Sequence, residues 1–278
     1  MQTTNTSWGP RLAANPTGAL RAAVLVAPPP AIESARPLPG EPNSLQPRAL
    51  AQQAILIKTL RYFNCETTLL EAHTADPYAS AIADAAVMFE NGAVMLRPSS
   101  MPRRPEVAWL EGQFVKIDVP IAGHIAAPGL LDGSDVLMAG NTAFVGLSRR
   151  SNALGRNGFA QIARAHGFKV VEVPLTDTVP SLRSAAGVLS ADSVVLAAPH
   201  LVDHNAFSGF KIVNAPVSGE LGAGVLNLGE HHVLADVRYP RVIDAIRKTG
   251  VVVEAIDLHD FGRVGITPSM LVLDLKRV

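Results

Sequence analysis

Apolar positions along this chain fall in short runs that come in pairs, each pair split by a tight turn and followed by an amphipathic stretch and one more apolar run. "AAVMFENGAVMLRP" (85–98) reads as two strands with Asn91 and Gly92 at the turn, a pair that supplies the positive φ angles a two-residue hairpin demands. "RRPEVAWLEGQFVKI" follows with helical spacing. The same order returns in "DVLMAGNTAFVGLS" (135–148), with Gly140 and Asn141 at its turn. Its helix "SNALGRNGFAQIARAHG" is capped by Ser151 or Asn152 and stopped at Gly167, and "FKVVEVPL" is its last strand. "AGVLSADSVVLAAP" (186–199) opens a third unit, with a short or irregular helix before "FKIVNAPV". "GAGVLNLGEHHVLADV" opens a fourth, continued by the helix "YPRVIDAIRKTG" and the strand "VVVEAIDL". A fifth joins the chain ends, pairing "SMLVLDL" with "RAAVLVAPP" and using the helix "QPRALAQQAILIKTLRYF".

Units recurring every roughly 40–50 residues are a fold signal in themselves. They predict one α/β domain over residues 21–278, a propeller of five ββαβ blades with pseudo-fivefold symmetry around a central pocket, preceded by an extended tail over residues 1–20. Radial repetition leaves only short strand edges exposed. An open α/β sheet is the competing architecture, but parallel strands need longer crossovers than these hairpins provide. No glycine-rich phosphate loop follows a strand to support it.

Composition narrows the function. The chain has 278 residues, 48% of them hydrophobic, enough for a full core. Twenty-four basic residues balance 24 acidic ones without a basic cluster, which argues against nucleic acid or an anionic membrane as a partner. No apolar run of about 18 residues occurs, and the N-terminal apolar run comes late and ends in prolines, unlike a signal peptide. A single Cys65 excludes an internal disulfide and a cysteine-rich metal site, so a cytoplasmic protein without metal or cofactor is expected.

"LDGSDVL…FVGLSRRSN", the preceding "MLRPSSMPRRPEV" and the later "YPRVIDAIRKTGVVVEAIDL" together resemble the dimethylarginine dimethylaminohydrolases. These are hydrolases of the guanidino-group-modifying amidinotransferase and deiminase superfamily, whose fold is the five-bladed pentein propeller. The resemblance covers most of the chain after about residue 20. It implies amidinohydrolase chemistry, in which a cysteine thiolate attacks a guanidinium carbon, a histidine moves protons, acids grip the guanidinium and arginines hold the substrate's carboxylate.

Carried over residue by residue, the resemblance puts Asp84 at the guanidinium, Arg103 and Arg150 at the carboxylate, and Asp132 and Asp135 in the acidic turn lining the pocket. Arginine suits its role through a forked, permanently charged donor set. The reactive positions depart from the family. Ser181, in "SLRSAAGVL", stands at the histidine, and Ser269, in "GITPSMLVL", stands at the cysteine, with Pro268 or Met270 there if the register slips by one residue. Tyr78 and Ala83 occupy positions expected to be acidic. A serine hydroxyl without a positioned base is a poor nucleophile beside a thiolate.

Other groups offer no ready replacement. His200 and His204 in "HLVDHNAF" have the spacing of metal ligands on a helix but sit in a short proline-flanked loop with Asp203. His231 and His232 are expected to alternate across a strand, and Cys65 to behave as a small buried hydrophobe. The expected function is that of a family member binding a small carboxylate-bearing, arginine-like or amidine-like ligand, with hydrolysis of a C–N bond by a route that needs no thiol. The alternative is a pseudoenzyme acting as ligand sensor or partner subunit. A purely structural role is disfavoured by the two arginines. The expected partner is a small molecule, and a homodimer is the assembly to test.

Overall fold

The computed structural model describes residue 9 and residues 11–216 and 221–278. Among the described residues, fifteen strands form five three-stranded sheets. Four blades follow the chain in order: β3 (Ala86–Phe89), β4 (Gly92–Met95) and β5 (Ile121–His124); β6 (Val136–Ala139), β7 (Thr142–Leu147) and β8 (Lys169–Pro174); β9 (Ala186–Ser190), β10 (Ser193–Leu196) and β11 (Lys211–Asn214); β12 (Leu226–Gly229), β13 (His232–Asp236) and β14 (Val252–Ile256). The fifth closes the ring from both chain ends, with β1 (Leu20–Val26) between β15 (Leu273–Arg277) and β2 (Glu66–Leu70). In every blade an antiparallel hairpin is followed by a parallel third strand. A parallel return needs a crossover. Helices α1 (Gln46–Tyr62), α2 (Pro105–Lys116), α3 (Ala153–Ala165) and, further along, Pro240–Arg247 supply it in four blades, and a 3-10 turn, His204–Phe207, in the third. The five-bladed propeller expected from the repeats is the fold observed.

Local chemistry accounts for most boundaries. Asn152 caps α3 by accepting from the Gly155 amide at 2.8 Å, and Gly167 ends it at φ +84°. Asn152 also accepts from the Leu130 amide and donates to the Pro128 carbonyl, so it ties the helix start to the preceding loop. Asn152→Ala should therefore cost somewhat more than the ~1 kcal/mol of an ordinary N-cap, read as a lower urea midpoint at unchanged slope.

Two turns depart from expectation. In the first blade Phe89 pairs with Gly92, so Glu90 and Asn91 form the turn rather than Asn91 and Gly92. Gly92 is needed for a different reason: at φ +145° it passes so close to the Pro120 carbonyl that any Cβ would overlap it. In the fourth blade His231 lies in the turn itself, at φ +61° beside Glu230 at φ +51°, and only His232 enters the strand. The two histidines therefore do not alternate across a strand as expected.

Apolar clusters fill the spaces between blades. One gathers Leu110 and Phe114 of α2 against Val24 of β1, Met95 of β4 and Leu275 of β15, each fully buried side chain contributing roughly 1.5–3 kcal/mol. Leu12 and Ala13 join this cluster, and the Leu12 amide donates to the Glu90 carbonyl at 2.9 Å, so the segment entering β1 is packed down from there. The rest of the expected tail, residues 1–8 and 10, lies outside the described residues. Among the described residues no helix is long and apolar enough to cross a membrane.

Candidate active site

A short helical turn precedes the first strand of several blades, and these turns meet at the axis. They are Ile82–Asp84 before β3, Gly133–Asp135 before β6, α4 (Leu182–Ala185) before β9, and Pro268–Met270 before β15. Asp84, Asp135, Ser181 and Ser269 sit in or beside them and are all buried. The repeat thus delivers candidate residues from separate parts of the chain to one place.

The two aspartates share a bonding pattern. Asp84 Oδ1 accepts from the Ser134 amide of the next blade at 2.9 Å. Asp135 Oδ1 accepts from the Leu182 amide of the blade after that at 3.0 Å. Each carboxylate staples its own turn to its neighbour's. Gly133 makes the first junction possible, because a Cβ there would overlap the Ala83 carbonyl oxygen. Gly133→Ala should destabilise by about 1–3 kcal/mol, measured by urea unfolding, and an unchanged midpoint would remove this close approach from the account.

Arg103 lies in the same buried layer, on the turn Met101–Arg103. Its Nη1 donates to Asp84 Oδ2 at 2.6 Å, its Nε to Glu106 Oε2 at 3.0 Å and its Nη2 to the Ala81 carbonyl at 3.1 Å. This departs from the expectation for Arg103: all three nitrogens are committed to internal acceptors, so the guanidinium is a counter-ion rather than a free anchor for a ligand's carboxylate. Arg150 is placed differently. Its side chain is 32% exposed, and Nη1 stands 3.7 Å from both Asp84 Oδ2 and Asp132 Oδ2, close enough for attraction and loose enough to turn toward a ligand.

Charge follows burial. Burial opposes the Asp84 carboxylate, yet the Arg103 and Arg150 guanidiniums outweigh it and hold the group below the usual carboxylate range. Asp132, desolvated and facing Asp84, is pushed up to about 6 despite accepting from the Ser99 amide at 2.6 Å. Asp135, desolvated too, is pushed up to about 7 despite its bonds to Ser148 and Leu182.

The serines expected at the reactive positions bond to neighbouring hydroxyls. Ser181 Oγ lies 2.9 Å from Ser184 Oγ, and Ser269 Oγ lies 3.3 Å from Thr267 Oγ1. Ser269 also borders the axial cavity, whereas Met270 packs into the apolar core. Neither serine bonds to an imidazole. His204 Nε2 is held by the Ala197 carbonyl at 2.7 Å, and Asp203 caps the turn that His204 begins. No cluster of metal-ligating side chains occurs among the described residues. Ala83 is buried, and the half-buried Tyr78 packs against the core.

No family model matches the chain. Among curated proteins it is 30% identical over 218 residues to the N(G),N(G)-dimethylarginine dimethylaminohydrolase of Streptomyces coelicolor, covering 78% of this chain and 81% of that protein. The chain belongs to the dimethylarginine dimethylaminohydrolase family. The enzyme of the same description from Pseudomonas aeruginosa is 26% identical over 217 residues, covering 78% of this chain and 84% of the relative. In structure, a Cys-to-Ser variant of the Pseudomonas protein in complex with citrulline superposes with a TM-score of 0.83 at 22% identity, over 92% of this chain and 99% of that one. The N-terminal domain of ArgZ, a cyanobacterial arginine dihydrolase, gives 0.77 at 16% identity over 92% and 98%. These likenesses place the family's propeller on the fold already described.

Sequence reasoning missed Glu106 and Ser148. Glu106 is Arg103's second acid and is itself held by Thr74 at 2.7 Å, and Ser148 bonds Asp135 while accepting from the Arg150 amide at 2.9 Å. Glu106 carried a readable signal, three residues after Arg103 at the start of a helix. Cys65 is buried far along the chain from the turns that carry Ser181 and Ser269, with its thiol pushed up to about 12 by desolvation. It should react with a disulfide reagent only on unfolding, and rapid labelling of the native protein would contradict that burial.

Proposed function

We propose that this chain is a family member that binds a small ligand through its carboxylate and has lost the covalent thiol chemistry. The observation that carries this reading is the pair of hydroxyls at the reactive positions, each bonded to another hydroxyl, with no thiol or imidazole in contact. Losing nucleophile and base together removes orders of magnitude of rate, because the two act as a unit.

Arg150 is the anchor in this reading, being the one arginine of the expected pair with a solvent-facing edge. The far end of the ligand should be neutral or weakly cationic, since Arg103 already satisfies much of the charge on Asp84. Ureido acids fit that description better than guanidino acids, and the Pseudomonas variant's complex with citrulline supports the class. A second reading is C–N hydrolysis of an amidine or imine with a carboxylate as general base. It is favoured by Asp132, which stands beside Arg150 and titrates near 6.

A thermal-shift screen of ureido acids, guanidino acids and small dicarboxylates, with product analysis for each hit, separates the readings. Arginine and its methylated forms should release no citrulline. Arg150→Ala should weaken a carboxylate hit by roughly 10- to 100-fold, about 1.4–2.7 kcal/mol. Robust citrulline release would overturn the loss of chemistry, and unchanged affinity in Arg150→Ala would overturn the anchor.

A further inference from the structure

On the propeller axis a cavity of about 60 Å³ is bordered by Arg183, Asn227, Ser269, Asp274 and Arg277. The two arginines differ in what they hold. Arg277 is satisfied: its Nε donates to Asp274 Oδ2 at 2.6 Å, and its Nη1 and Nη2 donate to the Gly18 and Asn227 carbonyls at 2.9 and 2.8 Å. Together with Asp274 it is a neutral pair. Arg183 has no such partner. Its Nε donates to the Val136 carbonyl at 2.8 Å and its Nη1 to the Ser269 carbonyl at 2.7 Å, while Nη2 bonds to no group among the described residues. No carboxylate stands within ion-pair distance of it there, and Asp274 and Asp84 act on it only through space.

A half-buried guanidinium held by carbonyls alone, with one edge turned to a cavity and no carboxylate in contact, favours an anion on that edge. The cavity has room for a few water-sized groups. A cation is excluded by Arg183, and a neutral molecule leaves the charge uncompensated. A polyvalent oxyanion would exceed the single net positive charge and face Asp274 as well. We propose that the axial cavity binds one small monovalent inorganic anion, of the size of chloride, on the free Nη2 edge of Arg183. The site lies behind Ser269, and its cation already joins the blade that starts at Val136, its own blade and the closing blade through those carbonyls. The anion therefore stabilises ring closure.

Thermal melts of the full chain at fixed ionic strength, with sodium chloride exchanged for sodium gluconate, test this. Chloride should raise the melting temperature saturably by about 2–4 °C, and bromide should do the same. The response should vanish in Arg183→Met and persist in Arg149→Met, which removes an exposed arginine. Equal melting in the two salts, or an undiminished response in Arg183→Met, would overturn the proposal. Should Arg183→Met not fold, bromide-soaked crystals of the unaltered protein decide: an anomalous peak beside Arg183 Nη2 is expected, and a cavity without one overturns it.

Discussion

Arg103→Met should lower the stability of this protein by about 3–5 kcal/mol, the loss expected when one partner of a buried ion pair is removed and the other keeps its charge. Asp84 is fully buried, and Arg103 is the cation that keeps it ionised. Without the guanidinium, Asp84 retains only the Ser134 amide and the looser Arg150, and Glu106 loses its charged partner. Such a loss is a large share of a typical domain's 5–15 kcal/mol, so the urea midpoint should drop steeply or the protein should fail to accumulate. Arg103→Met combined with Asp84→Asn should recover part of it, because an amide in place of the carboxylate needs no counter-ion and still accepts from Ser134. A single variant as stable as the parent would mean that the pair is not the internal counter-charge described above. A double variant no better than the single would place the cost in packing rather than charge.

That arrangement also marks where sequence reasoning stopped. The propeller was legible because each blade repeats the same hydrophobic periods, and Gly140, Asn152 and Gly167 are local signals whose effect does not depend on distant contacts. The acids and arginines of the site were legible as types in motifs. Their division of labour was not, because Arg103 and Arg150 look alike in "MPRRPEV" and "SRRSN", and only depth separates them. One is sealed between Asp84 and Glu106, and the other stays at the surface of the pocket. The stapling role of Asp84 and Asp135 was hidden for a similar reason, since their partners Ser134 and Leu182 lie about a blade away in sequence. The register of the first and fourth hairpin turns failed on backbone geometry. Gly92 answers a close approach from Pro120, and Glu230 and His231 both take the left-handed region, which few non-glycine residues occupy.

Stapling by a carboxylate that is also desolvated has a consequence with a definite sign. Asp135 titrates near 7 in the folded protein against 3.8 for the free side chain. Between those values the native state binds a proton that the unfolded chain has released, so stability falls as pH rises through the interval. The contribution is fully present below about pH 4 and gone above about pH 7, and its size is on the order of 4 kcal/mol. Asp132, near 6, acts in the same direction with a smaller span. Asp84 and Asp274 act oppositely, because their folded values lie below 3.8 and their stabilisation is lost only in stronger acid. Urea unfolding from pH 4.5 to 8.5 should therefore show stability decreasing toward alkaline pH. Asp135→Asn should flatten most of that slope. The amide oxygen can still accept from the Leu182 amide and its NH2 can donate to Ser148, so at pH 8 the variant should be more stable than the parent, and the gap should narrow steadily toward the acid end of the range. A parent slope that survives the substitution unchanged would mean that Asp135 stays ionised in the native protein, and the acidic turn would then be wetter than its burial implies.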